Sequence, residues 1–261
     1  MFRKEAQEDP CPCSPSPLAA AALAGEPGFD HGHAAFAAVL DGAVSDAGVD
    51  YGLIAKRRPQ LDAYLAELAD APAADFTDPQ RLALYVNAYN ALTIATILDA
   101  GQPASIRDID GGNVWDKRHF TVAGESVTLN DLEHRKARKL ADGRIHAALN
   151  CASKGCPPLP PAPLSAARDL GAQLDEDARH WARTTAFHLE GDTVAVSKIF
   201  DWYGEDFAGV QGDRDLPKVD GKLEHALWFL SRYADPAVAS KLTSGTVTAS
   251  WQDYDWSLNR R

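Results

Sequence analysis

Two cysteines five positions apart, Cys151 and Cys156, stand among His146, Asn150 and Ser153 in the run Arg144-Ile-His-Ala-Ala-Leu-Asn-Cys-Ala-Ser-Lys-Gly-Cys-Pro-Pro-Leu159. A cysteine attacks as the thiolate, so it needs a base nearby and a third group to fix the tautomer of that base. His146 or His134 can serve as the base, with Asp131, Asn150 or Asn90 as the orienting group. Such sets perform acyl transfer or hydrolysis of amides and thioesters, and geometry, not chain order, identifies them. The same sulfurs have a competing use. A Cys151–Cys156 disulfide can close across the Gly-containing loop and is favoured if the protein is exported, which would leave a non-catalytic binding or assembly module. No metal or other cofactor is expected. The motif thiols and His146 lack the paired C-x-x-C spacing of zinc sites, and His31-Gly-His33 has no cysteine or carboxylate cluster beside it.

The motif must be held by regular elements. Residues 145–150 read as an apolar strand whose alternation puts His146 and Asn150 on one face and Leu149 on the other. Helical periodicity covers 33–47 and 60–69. The segment 79–100 contains no charge from Leu82 to Leu98, so it is expected as a buried central helix ended by Gly101. Asn87 and Asn90 share one face of it. Buried amides need partners, so both either satisfy backbone groups or donate to a substrate carbonyl or oxyanion. A hairpin is expected at 119–122 and 126–129, followed by a helix to about Leu140 with Asn130 as its cap and Glu133 at the capping-box position.

Farther along, the pattern predicts a helix over 165–183 and a hairpin at 186–189 and 194–196. Residues 198–207 read as a strand end leading into a short helix, 223–233 as an amphipathic helix and 247–250 as a strand. Clustered helices with hairpins imply an α+β fold, with a mainly antiparallel sheet packed with a buried central helix and surrounding helices.

Two further clusters have rival readings. Asp131, His134, Arg135 and Arg138 form a polar helix face, either solvated or part of the site through His134. Lys198, Asp201, Trp202, Tyr203 and Asp206 are either an ion-paired surface or a ligand-binding rim.

The 261 residues are 45% hydrophobic and 24% charged, material for one large core. With 26 Lys and Arg against 37 Asp and Glu, the net charge of −11 argues against nucleic acid as a partner and leaves a small molecule or peptide. No run approaches the roughly 18 apolar residues that a membrane-spanning helix requires. Residues 1–29, rich in Pro and Ala, are expected to be a disordered tail ahead of a single domain over 30–261. Within that tail, Ala22-Leu-Ala24 matches a signal-peptide cleavage pattern, whereas Glu5, Glu8 and Asp9 do not suit a signal.

Five ordered motifs carry a resemblance. Tyr85-Val-Asn-Ala-Tyr-Asn-Ala91, Leu129-Asn-Asp-Leu-Glu-His134, Arg144 to Ser153 with Cys156-Pro-Pro158, Ser197-Lys-Ile-Phe-Asp-Trp-Tyr203 and Tyr254-Asp-Trp-Ser-Leu-Asn259 resemble the domain of unknown function 547 family over about residues 30–259. Tyr85 stands where that family usually has Trp or a similar aromatic. The resemblance implies an exported or periplasmic location and, through relatives fused to glutaredoxin-like domains, thiol chemistry. It also implies a distant similarity to the papain/transglutaminase-like fold.

Overall fold

A computed structural model describes residues 28–210 and 221–261, so most of the expected N-terminal tail, including Cys11 and Cys13, lies outside the described residues. The chain runs through α1 (Ala34–Leu40), the small hairpin β1 (Val44–Ser45) and β2 (Gly48–Val49), α2 (Tyr51–Lys56), α3 (Arg58–Ala69) and α4 (Asp78–Asp99). Next come α5 (Val114–Lys117), the hairpin β3 (Phe120–Val122) and β4 (Glu125–Val127), a π-helical turn over Asp131–Lys136, and α6 (Ile145–Ala148). The remainder is α7 (Leu170–Arg183), β5 (Phe187–Glu190), β6 (Thr193–Val196), α8 (Lys198–Trp202), α9 (Gly221–Tyr233), α10 (Pro236–Leu242) and β7 (Thr248–Trp251).

Helix α4 is the axis, as its charge-free stretch predicts. Thr77 and Gln80 close a reciprocal capping box at its start, with Pro79 in the first turn. Every residue from Leu82 to Ile97 is buried. Gly101, at φ +74°, donates to Leu98 O at 3.0 Å, and Gln102 N donates to Ile97 O at 2.9 Å, a left-handed stop that only glycine adopts without strain. Helices α2 and α3 and the π-helical turn pack on α4.

The fold is α+β, but predominantly helical, with three small sheets among the described residues where one mainly antiparallel sheet was expected. Strands β5 and β6 are antiparallel as expected, whereas β7 adds to β6 in parallel, Thr193 facing Thr248. A second core gathers there around Trp181, Phe200, Phe207 and Phe229, whose rings stack, tilt or meet edge to face at centroid separations of 4.6–6.4 Å.

Several expected elements are corrected. The first helix ends at Leu40, not Ala47, and the chain turns into the β1–β2 hairpin. The expected strand at 145–150 is one helical turn, α6, leading into a loop. Residues from Ile145 to Asn150 are all buried, and the apolar alternation there came from a segment enclosed on every side. The helix after β4 is capped by Thr128, not Asn130: Asp131 N donates to Thr128 Oγ1 at 3.0 Å and Thr128 N to Asp131 Oδ2 at 3.0 Å. Helix α7 starts at Leu170, where Asp169 accepts from Ala172 N. Ser197 caps α8, so Lys198 opens a helix and does not end a strand.

The last residues act as a strap. Leu258 N donates to Ala104 O, Val49 N to Asn259 O, Lys154 N to Ser257 O and Gly155 N to Asp255 O, at 2.7–2.9 Å. This strap joins β2, the turn after α4 and the cysteine loop.

Candidate functional site

The loop carrying the cysteines is shaped by two asparagines. From α4, Asn90 Nδ2 donates to Ala148 O at 2.8 Å and Oδ1 accepts from Asn150 N at 2.9 Å, in place of the neighbouring strand that an extended segment would need. Asn150 then folds the loop on itself. Its Oδ1 accepts from Ala152 N at 2.9 Å and Asn259 Nδ2 at 3.1 Å, and its Nδ2 donates to Pro157 O at 2.7 Å. These bonds hold Ala152 at φ +63°, an unfavourable conformation for a residue with a Cβ, immediately after Cys151.

Cys151 is half-buried, and its sulfur is ringed by hydroxyls. Sγ lies 3.0 Å from Ser153 Oγ and 3.2 Å from Tyr254 OH, and those two oxygens are 2.8 Å apart. Cys151 N donates to Cys156 Sγ at 3.0 Å. Both thiols are free. The Cys156 thiol first, then the Ser153 and Tyr254 hydroxyls, outweigh burial and lower the Cys151 pKa to about 7. Cys156 moves the other way: burial and the adjacent sulfur push its thiol well above the ordinary range. One site thus holds an easily ionised thiol beside one that keeps its proton.

Cys151 opens on a cavity of about 240 Å³. His146 lines the same cavity, its ring stacked on Tyr203 with centroids 4.2 Å apart. His146 Nε2 sits 2.7 Å from Asp206 Oδ2, and Arg138 grips the same carboxylate through Nε at 2.6 Å and Nη2 at 2.9 Å. Burial works against that charge, but the bonds from His146 and Arg138 outweigh it and hold Asp206 far below the usual carboxylate range. Asp206 is therefore an acceptor, Nε2 carries the hydrogen, and Nδ1 is the nitrogen left to exchange a proton. Cys151 Sγ makes its hydrogen bonds to Ser153 and Tyr254, not to an imidazole.

The other candidates divide. Trp202 and Tyr203 line the cavity. His134 does not line it; its ring stacks on Tyr203 with centroids 5.9 Å apart, and its Nδ1 is 2.7 Å from Arg138 Nη1. Asn87 is a backbone clamp, bonded to Leu164 O at 2.7 Å and Leu164 N at 3.0 Å, while Asp131 serves the Thr128 cap. Lys198 and Lys222 each meet Asp201 at 3.2 Å, so Lys198 and Asp201 form an ion-pair cluster. Glu133, read from sequence as a cap, is instead a buried carboxylate in the cavity wall. Sequence reasoning missed the role of Asp206 as partner of His146, and it missed Tyr254 and Trp256 as cavity walls. The closing Tyr254-Asp-Trp256 motif was the available signal.

Among the described residues, no helix is long and apolar enough to cross a membrane. No curated protein and no solved structure matches the chain. Residues 73–181 match the family described as Protein of unknown function, DUF547, a segment holding Asn90, His146, Cys151 and Cys156 but ending before Tyr203, Asp206 and Tyr254. That match supports assigning residues 73–181 to the DUF547 family.

Proposed function

We propose that the protein is a thiol-dependent acyl transferase or hydrolase acting on an amide, ester or thioester, with Cys151 as nucleophile and His146 as acid and base. One observation carries the reading: the Cys151 sulfur, held by Ser153 and Tyr254, and the Asp206-backed imidazole of His146 line one open cavity. In the first step the thiolate attacks the carbonyl carbon, a sulfur–carbon bond forms, and the bond to the leaving nitrogen, oxygen or sulfur breaks. The His146 imidazolium gives its Nδ1 proton to the leaving atom. In the second step neutral His146 removes a proton from water or an acceptor, which displaces the sulfur and regenerates thiolate and imidazolium. Sulfur and imidazole need only approach once substrate is bound, since catalytic contacts tighten in the complex. Asn90 and Asn150 are positioning residues for the loop.

The test is a rapid-mixing experiment with p-nitrophenyl acetate. The expected result is a burst of about one p-nitrophenol per chain, absent in Cys151→Ser, with His146→Ala slowing turnover of the thioester by about 100-fold or more. A wild-type trace without a burst, matching Cys151→Ser, refutes the reading.

A further inference from the structure

The cavity wall has an unusual composition. Trp115, Trp202, Trp256 and Tyr254 supply aromatic surface, Glu133 and Asp116 supply carboxylates, and neither lysine nor arginine is among the lining residues. Among the described residues, Trp202 is the one large apolar side chain left exposed, at 46%. Its ring leans on Tyr254 and Trp256, with centroids 4.8 and 5.7 Å away, so the exposed indole is fixed at the cavity mouth. An indole held in water by its neighbours points to a ligand that covers it.

Charge selects the kind of ligand. Glu133 is 7% exposed and lies against the Tyr203 phenol. Arg138, its guanidinium 5.0 Å from the centre of the Tyr203 ring, is engaged by its fork to Asp206. An anionic ligand would meet carboxylates and no lining lysine or arginine, with the His146 imidazole already paired to Asp206, whereas a cation would find ring faces and the Glu133 charge together. The ring system already does this within the fold, since the Arg107 guanidinium sits 5.0 Å from the centre of the Trp256 ring.

We propose that this cavity recognises an alkylammonium group, so that the substrate presented to Cys151 is an organic cation. The inference rests on the thiol reading for the chemistry after binding, but the recognition itself is independent of it. It excludes substrates whose portion in the cavity is a carboxylate, phosphate or neutral sugar.

Calorimetric titration of the full chain with choline and with 3,3-dimethyl-1-butanol, its neutral isostere, provides the test. Choline is expected to bind about tenfold or more tightly than the alcohol. Glu133→Gln, close in shape, is expected to remove most of that preference, and Trp202→Ala, at an exposed position, to weaken choline by about tenfold. Equal affinity for the two probes, no choline binding, or tighter binding of acetate or glucose overturns the proposal. The acetyl-enzyme burst separates the two claims: a burst without cation preference refutes this inference alone, and cation preference without a burst refutes the thiol reading alone.

Discussion

Asn90 on the buried helix α4 and Asn150 at the head of the cysteine loop are joined through the backbone of one by the side chain of the other, Asn150 N donating to Asn90 Oδ1 at 2.9 Å. The same amide binds Ala148 O, so Asn90 spans the bend where α6 stops and the loop begins. Asn90→Ala leaves a buried N–H and a buried carbonyl without partners and is expected to cost about 1–3 kcal/mol. Chemical denaturation measures it. Asn90→Asp should cost at least as much, because the Ala148 carbonyl then faces an acceptor.

The environment of Cys151 predicts a pH dependence. Alkylation by iodoacetamide tracks the thiolate, so its rate should rise through a midpoint near pH 7, where an ordinary cysteine would need about 8.5. Because the Cys156 thiol is the largest lowering influence, Cys156→Ser should move the midpoint upward. A midpoint unchanged in that variant would show that the two sulfurs do not communicate.

Gly155 sets the distance between loop and strap. A Cβ there would fall 2.9 Å from Asp255 N and 3.0 Å from the Tyr254 ring, so backbone would have to move. Gly155→Ala is expected to displace Tyr254 from the Cys151 sulfur and to slow alkylation at pH 7 by several-fold. Tyr254→Phe, which deletes the hydroxyl and keeps the ring, should slow it in the same direction. If Gly155→Ala labels as fast as the wild type, the strap does not set thiol reactivity.

Asp177 on α7 makes stability fall as pH rises. Burial first, with Glu176 adding and Arg168 opposing, raises its carboxyl pKa to about 7. The unfolded carboxyl ionises near 4, so between about pH 4 and 7 the folded state binds more protons and loses stability. Asp177→Asn should therefore raise the melting temperature at pH 8 and leave it nearly unchanged at pH 4. Equal shifts at both pH values would refute that account.

How much of this was legible in the sequence depended on whether the cause was local. The absence of charge from Leu82 to Leu98, with Gly101 after it, announces α4, and the alternation around β5 and β6 announces their hairpin. Residues 145–150 misled because a helical turn takes the N–H groups of 145–147 and the Asn90 side chain, not a strand, takes Ala148 O and Asn150 N, and no period in the local pattern records that. The same holds for the site. Cys151, His146 and Ser153 are close in sequence, whereas Asp206 reaches His146 across 60 positions and Tyr254 reaches Cys151 across 103. Hydrophobic periodicity carries no information about such pairings.

The strap also orders events in time. A ribosome releases Cys151 roughly a hundred residues before Tyr254, so a nascent chain presents the cysteine without the phenol that helps to ionise it. The hydrogen bond from Tyr254 is therefore the last part of the thiol's surroundings to form, after Cys156 and Ser153 are already in the chain.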